Sequence, residues 1–374
     1  MSHYTRTLRR LRPWQIVLIA NALYLGVILA LNGGDPEAFV TLGECFSQCA
    51  EHDGTDCPAE SEGYDGQFAY YIARDPGGSP PCLDAPAYRM QRILLPVLAR
   101  VLSLGQTALI PWALVLVNLI ALVGGTALLE DLLEAAKASR WFALSYGLYI
   151  GVFMAVRLST TEPLAYGLVI AGIWLGARDR WWAASIALAL AVFAKEVAAL
   201  FAAGYALHFA LNRRWRDAAR IALVAGVPFA AWQIALVDWL GSAGIGSGGA
   251  KATPFEIIPF AGVLKIGTEG SLAALVVLGL LVIPAAVVPS LWALWRTVSD
   301  LRREHWGPYT CLLFANAAVM PFVPFSTYRE FLGLLRFIPG LVLMVVLYAA
   351  QHKHQRPLVY STLWIVLLLF LVSG

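Results

Sequence analysis

The sequence predicts an all-α, polytopic membrane protein with about eleven transmembrane helices, a cytoplasmic N-terminus and a large first extracytoplasmic loop. Three observations predict it. First, 59% of the 374 residues are hydrophobic and only 14% are charged, against roughly 25% charged in a soluble domain, and the apolar residues come in long runs. Second, Arg6, Arg9, Arg10 and Arg12 precede the first run, and basic clusters flank cytoplasmic ends of spans. Third, four of the five cysteines, Cys45, Cys49, Cys57 and Cys82, share one polar segment. That is the pattern of a loop on the oxidising side of a membrane. The net charge of +3, spread over basic loops, gives no reason to expect a nucleic-acid partner.

The elements follow in order from charge and length. "PWQIVLIANALYLGVILALN" can cross a hydrocarbon core that needs about 20 residues. A cleaved signal peptide would have a shorter apolar core and a small-residue cleavage site, so an uncleaved span is expected. Residues 33–92 form the first outer loop. Ile93–Gly105 carries Arg100 and is too short to span comfortably, so it should lie along the outer interface or pack obliquely. Spans are expected at Thr107–Leu128, Trp141–Val156 and Thr161–Ala177. Two short helices should then meet near Lys195 and Glu196, because basic clusters stand on both sides of a stretch too short for two full crossings. Ile221–Leu240 leads to a second outer loop, 241–270, rich in glycine at its start. Leu272–Trp295, Tyr309–Val323, Phe331–Ala350 and Leu358–Val372 complete the set.

Four cysteines in one oxidising loop are expected to form two disulfides, with three pairings open. The rival reading is a metal site, for which Cys45-x3-Cys49 and nearby His52 offer weak spacing; no metal is predicted.

This threading places most unusual charges on one side. Asp65, Asp75, Arg89 and Arg92 lie in the first loop, Arg157, Thr160, Thr161 and Glu162 at the next outer turn, and Lys195 and Glu196 at the short-helix junction. Tyr328, Arg329, Glu330 and Arg336 open a late span. Each alone reads as well as an interfacial anchor or a neutralising pair, such as Lys195 with Glu196; together they read as a site, because charge near the hydrocarbon is costly. Arg89, Arg92, Lys195, Arg329 and Arg336 are candidate phosphate ligands. Carboxylates beside them suit proton removal from a hydroxyl. The chemistry is group transfer from a lipid-phosphate carrier. A flippase of the same lipid-linked sugar and a non-catalytic scaffold for surface-polymer assembly are the alternatives. A flippase would need cations along a path through the bilayer, and the sequence shows none.

"YDGQFAYYIARDP" followed by "AYRMQRILLPVLARVLSLG" resembles the bacterial relatives of the PIG-V and PIG-M mannosyltransferases, within the GT-C superfamily of multispanning glycosyltransferases. The matching positions are Asp65, Gly66, Phe68, Tyr70, Tyr71, Ile72 and Ala73. "STTEPLAYGLVIAGIWLG", with Glu162, "AVFAKEVAALF" and "YREFLGLLRFIPGL" resemble further elements of that superfamily, in order. Where many of its members carry adjacent acids in the first loop, here Asp65 is followed by Gly66 and the next acid is Asp75. The resemblance implies one GT-C-like membrane domain over residues 1–374 in the cell membrane, with its active site on the extracytoplasmic face. It implies a polyprenyl-phosphate sugar donor, no divalent metal, and a glycan, lipid or protein acceptor in cell-surface glycan assembly. Asp65 would be the general base of an inverting transfer, with Asp75 and Glu162 as candidate second acids. Tyr64, Phe68, Tyr70 and Tyr71 would form the acceptor or sugar platform, a role that competes with plain interfacial anchoring.

Overall fold

The computed structural model describes residues 11–49, 57–58 and 61–369. Among them there are helices and no strands. Helices of seven or more residues are numbered here. They are α1 Pro13–Leu31, α2 Gly66–Arg74, α3 Leu94–Leu102, α4 Ile110–Ala135, α5 Ile150–Arg157, α6 Glu162–Gly176 and α7 Trp181–Ala194. After them come α8 Ala199–Leu211, α9 Trp215–Leu240, α10 Leu272–Val282, α11 Val288–Arg302, α12 Pro308–Val319, α13 Phe331–Phe337 and α14 Pro339–Gln351.

Four helical segments are long and apolar enough to cross a membrane: Pro13–Leu31, Thr107–Ala135, Trp215–Leu240 and Leu272–Arg302. The pair α13 and α14, bent by 44°, makes a fifth if counted as one broken span. This corrects the expected eleven. The other apolar runs fold into shorter pieces: α7 has 14 residues, a rise of about 21 Å against a core of about 30 Å. The run from Trp141 to Val156 breaks into three, Arg140–Ala143, Leu144–Gly147 and α5, where the chain turns extended at Tyr149. The last run ends in one-turn helices at Gln355–Tyr360 and Leu363–Val366, and residues 370–374 lie outside the described residues. Hydrophobic periodicity reports apolar surroundings, and a helix packed among other helices is as apolar as one that spans lipid.

The exposed faces agree with a membrane setting. Leu23 is 67%, Ile234 71% and Leu280 76% exposed, and large apolar side chains so placed on long helices need a non-aqueous neighbour. At the centre, α14 is buried from Pro339 to Ala350 and packs against α12, while α6 packs between α4 and α7. A second, smaller apolar cluster gathers the first loop against α3 and the start of α4.

Three local features set up the site. Lys195 is extended (φ −157°, ψ 123°) and ends α7, which gives the two short helices expected at Lys195–Glu196. Disulfides join Cys45 to Cys57 and Cys49 to Cys82, stapling the first loop; by loop closure each contributes roughly 2–4 kcal/mol in favourable cases. Cys311 is free and buried. With Cys45 and Cys49 thus bonded, the rival metal reading loses its ligands; His52 lies outside the described residues. Ile93–Gly105 forms α3, anchored where Arg100 donates to the carbonyls of Ala73 and Arg74 at 2.9 and 2.6 Å.

Candidate active site

The site is assembled from the start of α2, the short helix Pro86–Met90 and the turn after it, the turn before α6, the break after α7, and α13. Asp65 stands at the head of α2. Its Oδ1 meets Arg89 Nη1 at 3.0 Å and its Oδ2 meets Arg336 Nη1 at 2.7 Å. Asp65 is one-third exposed while both arginine side chains are 10% exposed, so the carboxylate faces an opening and the cations form its wall.

Each arginine is held by a further acid. Asp84 grips Arg89 in a bidentate pair at 2.7 and 2.8 Å, and the guanidinium lies 4.2 Å over the Phe68 ring. Arg336 donates to Glu162 Oε1 at 3.0 Å and to Tyr64 Oη at 2.9 Å. Glu162 is fully buried and also pairs with Lys195 Nζ at 2.7 Å. Lys195 donates in turn to the Arg336 carbonyl at 3.2 Å. Arg92 makes a bidentate pair with Glu196, at 2.8 and 2.6 Å. The result is a chain of alternating charges. Buried charges are tolerated when paired this way.

Two close backbone approaches bring these elements together. A Cβ added at Gly66 would overlap the carbonyl oxygen of Leu158, and one at Gly151 on α5 would overlap that of Leu335. Only glycine permits such contact. The first seats the head of α2 on the 157–161 turn; the second seats α13, and so Arg336, on α5. The turn itself holds Ser159 at φ +52°, and Asn118 donates to the Thr160 carbonyl at 2.9 Å. We expect Gly66→Ala to destabilise the protein by about 1–3 kcal/mol, the usual cost of overpacking. Gly77→Ala, with no such overlap, should be near neutral. Comparing thermal unfolding of the two in one detergent checks this, and equal midpoints would refute the contact.

Asp65, Phe68, Arg89, Arg92, Thr160 and Arg336 line a crevice of about 30 Å³, room for about one or two water molecules and not for a sugar. Ser159 and Thr161 also line it, and their hydroxyls are buried without a hydrogen-bond partner. Burial alone would raise the Asp65 pKa. Arg89 and Arg336, with Arg92 beyond them, outweigh it and hold the carboxyl well below the usual carboxylate range. Ionised Asp65 therefore stabilises the folded state at neutral pH. That contribution fades as pH falls below about 4, where the unfolded chain takes up a proton and the folded one does not.

Of the residues expected from sequence, the structure gathers Asp65, Arg89, Arg92, Lys195, Arg336, Glu162, Tyr64 and Phe68. It does not gather the rest. Asp75 lies at the other end of α2, about 15 Å along the helix, where it accepts from the Gly78 N–H at 3.1 Å. Arg329 is 43% exposed and pairs at 3.6 Å with Glu330, because the chain breaks at Glu330 before α13 begins. Tyr70 and Tyr71 are 4% and 2% exposed and pack inward beneath Arg74, leaving no face for a sugar. Asp84, Tyr88 and Ser159 were not expected. Asp84 carried a readable signal, a carboxylate five residues before Arg89; the other two carried none.

No protein-family model, curated protein or solved structure matches the chain.

Proposed function

We propose that the protein is a membrane glycosyltransferase that takes a sugar from a polyprenyl-phosphate donor to an acceptor hydroxyl, with inversion, on the extracytoplasmic face. The observation that carries this reading is Asp65 held between Arg89 and Arg336 at the mouth of a crevice. One carboxylate is poised for proton removal beside two cations suited to phosphate. Arg92 and Lys195 extend the same cationic wall.

The closed crevice supplies a mechanism for turning Asp65 on. In the resting state the carboxylates occupy the cations, and Asp65 is a weak base. A donor phosphate entering the crevice competes for Arg89 and Arg336. As they turn to the phosphate, Asp65 loses its counter-charges and its proton affinity rises. It then takes the proton of the acceptor hydroxyl as that oxygen attacks the anomeric carbon, and polyprenyl phosphate leaves on the arginines. Arg89 keeps Asp84, and Arg336 keeps Glu162, as fixed partners through the exchange. Asp75, Arg329, Tyr70 and Tyr71 have no part in it.

The test is transfer itself. Purified protein in nanodiscs, supplied with polyprenyl-phosphate hexoses and a glycan or lipid hydroxyl acceptor, should release free polyprenyl phosphate only when acceptor is present. Mass analysis of surface glycans and lipid-linked sugars from cells with and without the gene identifies the pair to supply. If a lipid-linked sugar changes leaflet with no bond broken, the flippase reading replaces this one. Unchanged glycans and lipid-linked sugars in cells lacking the gene would exclude both.

Sidedness has its own check. A cysteine at Gly77, exposed at the end of the α2 segment, meets no competing thiol, since Cys311 is buried and the other four are bonded. It should react with a membrane-impermeant maleimide on intact cells or spheroplasts. Labelling only after permeabilisation would put the site on the cytoplasmic face.

A further inference from the structure

A second cavity lies at the far end of α14 from Arg336. It measures about 620 Å³ and is lined by Val288, Trp292, Trp295 and Arg296 of α11 and by Lys353, His354 and Arg356 after α14, among others. Its cations differ from those at the candidate active site. There Arg89, Arg92, Lys195 and Arg336 are each paired with a carboxylate. Here, among the described residues, no ion pair includes Arg296, Lys353 or Arg356. Arg296 Nη2 meets His354 Nε2 at 3.0 Å, and Arg296 Nε is buried with no hydrogen-bond partner. Asp300, one turn further along α11, accepts from Tyr348 Oη.

The apolar wall faces outward. Trp295 is 66% and Val288 44% exposed, on a segment long and apolar enough to cross a membrane. Arg296 lies six residues before the end of that segment, about 9 Å along its axis. Basic and Trp side chains at such a depth mark the boundary between headgroups and hydrocarbon. Unpaired cations above, with aromatic and aliphatic surface below, complement an anionic headgroup carrying an acyl chain.

We propose that this cavity binds an anionic phospholipid of the surrounding bilayer, its phosphate on Arg296, Lys353 and Arg356 and an acyl chain against Val288, Trp292 and Trp295. The proposal is independent of the sugar-transfer reading. The probe is phosphatidylglycerol added to the purified full-length protein in detergent, with adducts counted by native mass spectrometry and phosphatidylcholine as the neutral comparison. Arg296→Gln with Lys353→Gln and Arg356→Gln should weaken phosphatidylglycerol binding tenfold or more and leave phosphatidylcholine unchanged. Trp295→Ala should weaken it several-fold with all cations present. The control triple, Arg180→Gln with Arg213→Gln and Arg216→Gln, removes three exposed arginines elsewhere and should bind as the parent does. Equal loss in the control, retention in the cavity triple, or displacement of the lipid by millimolar inorganic phosphate alone would overturn the proposal.

Discussion

Asp65→Asn is expected to lower turnover by about 10²–10⁴-fold, the range for loss of a positioned general base, while donor affinity changes little. The substitution keeps the side chain's size and one acceptor oxygen. Arg89 still has Asp84 at 2.7 Å, and Arg336 still has Glu162 and Tyr64, so the cationic wall stays in place. Single-turnover rate and donor affinity in nanodiscs separate the two effects. Near-parental turnover would remove Asp65 as the base and leave Glu162 as the acid to examine. Loss of donor binding with intact chemistry at saturating donor would recast Asp65 as a binding group.

The pH dependence carries a second readout. Free enzyme holds the Asp65 pKa well below the carboxylate range, burial notwithstanding, through Arg89 and Arg336. The acidic limb of kcat/KM should therefore lie below about pH 4 if Asp65 governs it. The acidic limb of kcat reports the donor complex and should lie higher, because bound phosphate draws those arginines away. Coincident limbs would contradict the partner exchange.

Glu162→Gln is expected to cost roughly 3–5 kcal/mol, the penalty for stripping one partner from a buried ion pair. Glu162 is wholly buried and is the counter-charge for both Lys195 and Arg336. Gln keeps one acceptor oxygen but no charge, so Lys195 would be left with neutral acceptors, the Arg336 carbonyl at 3.2 Å among them. Adding Lys195→Met should recover part of the loss by removing an uncompensated ammonium. Unfolding free energies in one detergent measure this. Arg329→Gln, which breaks an exposed pair, is the comparison and should cost less than about 1 kcal/mol. A Glu162→Gln cost no larger than that would show that water reaches the pair.

The donor test then separates fold from function. If Glu162 serves mainly to fix Arg336, Glu162→Gln weakens donor binding along with stability. Asp65→Asn should spare donor binding and lose only the stability that its ionised carboxylate contributes.

Much was determined by sequence alone. Long continuous apolar runs favour helices, since a helix satisfies its backbone groups within its own segment away from water. The break at Lys195 was readable from two basic clusters separated by too few residues for two crossings. Four cysteines crowded into one loop pointed to two disulfides, with the pairing and a rival metal reading left open. Asp65 and Gly66 stood out because a polar, glycine-bearing segment in an apolar chain is locally anomalous.

Tertiary structure decided the rest. Which apolar runs are long helices and which are short pieces depends on what surrounds them, and hydropathy cannot separate lipid from neighbouring helices. Arg329 and Arg336 look alike in sequence, yet only Arg336 reaches Asp65, 271 residues away. A break at Glu330 turns one outward, and Gly151 lets α13 approach closely enough to bring the other in. Tyr70 and Tyr71 read as interfacial aromatics, but the α3 contact buries them. Charge is written residue by residue. Which charge answers which is fixed by close packing between segments far apart in the chain, where one missing Cβ at Gly66 or Gly151 determines the distance.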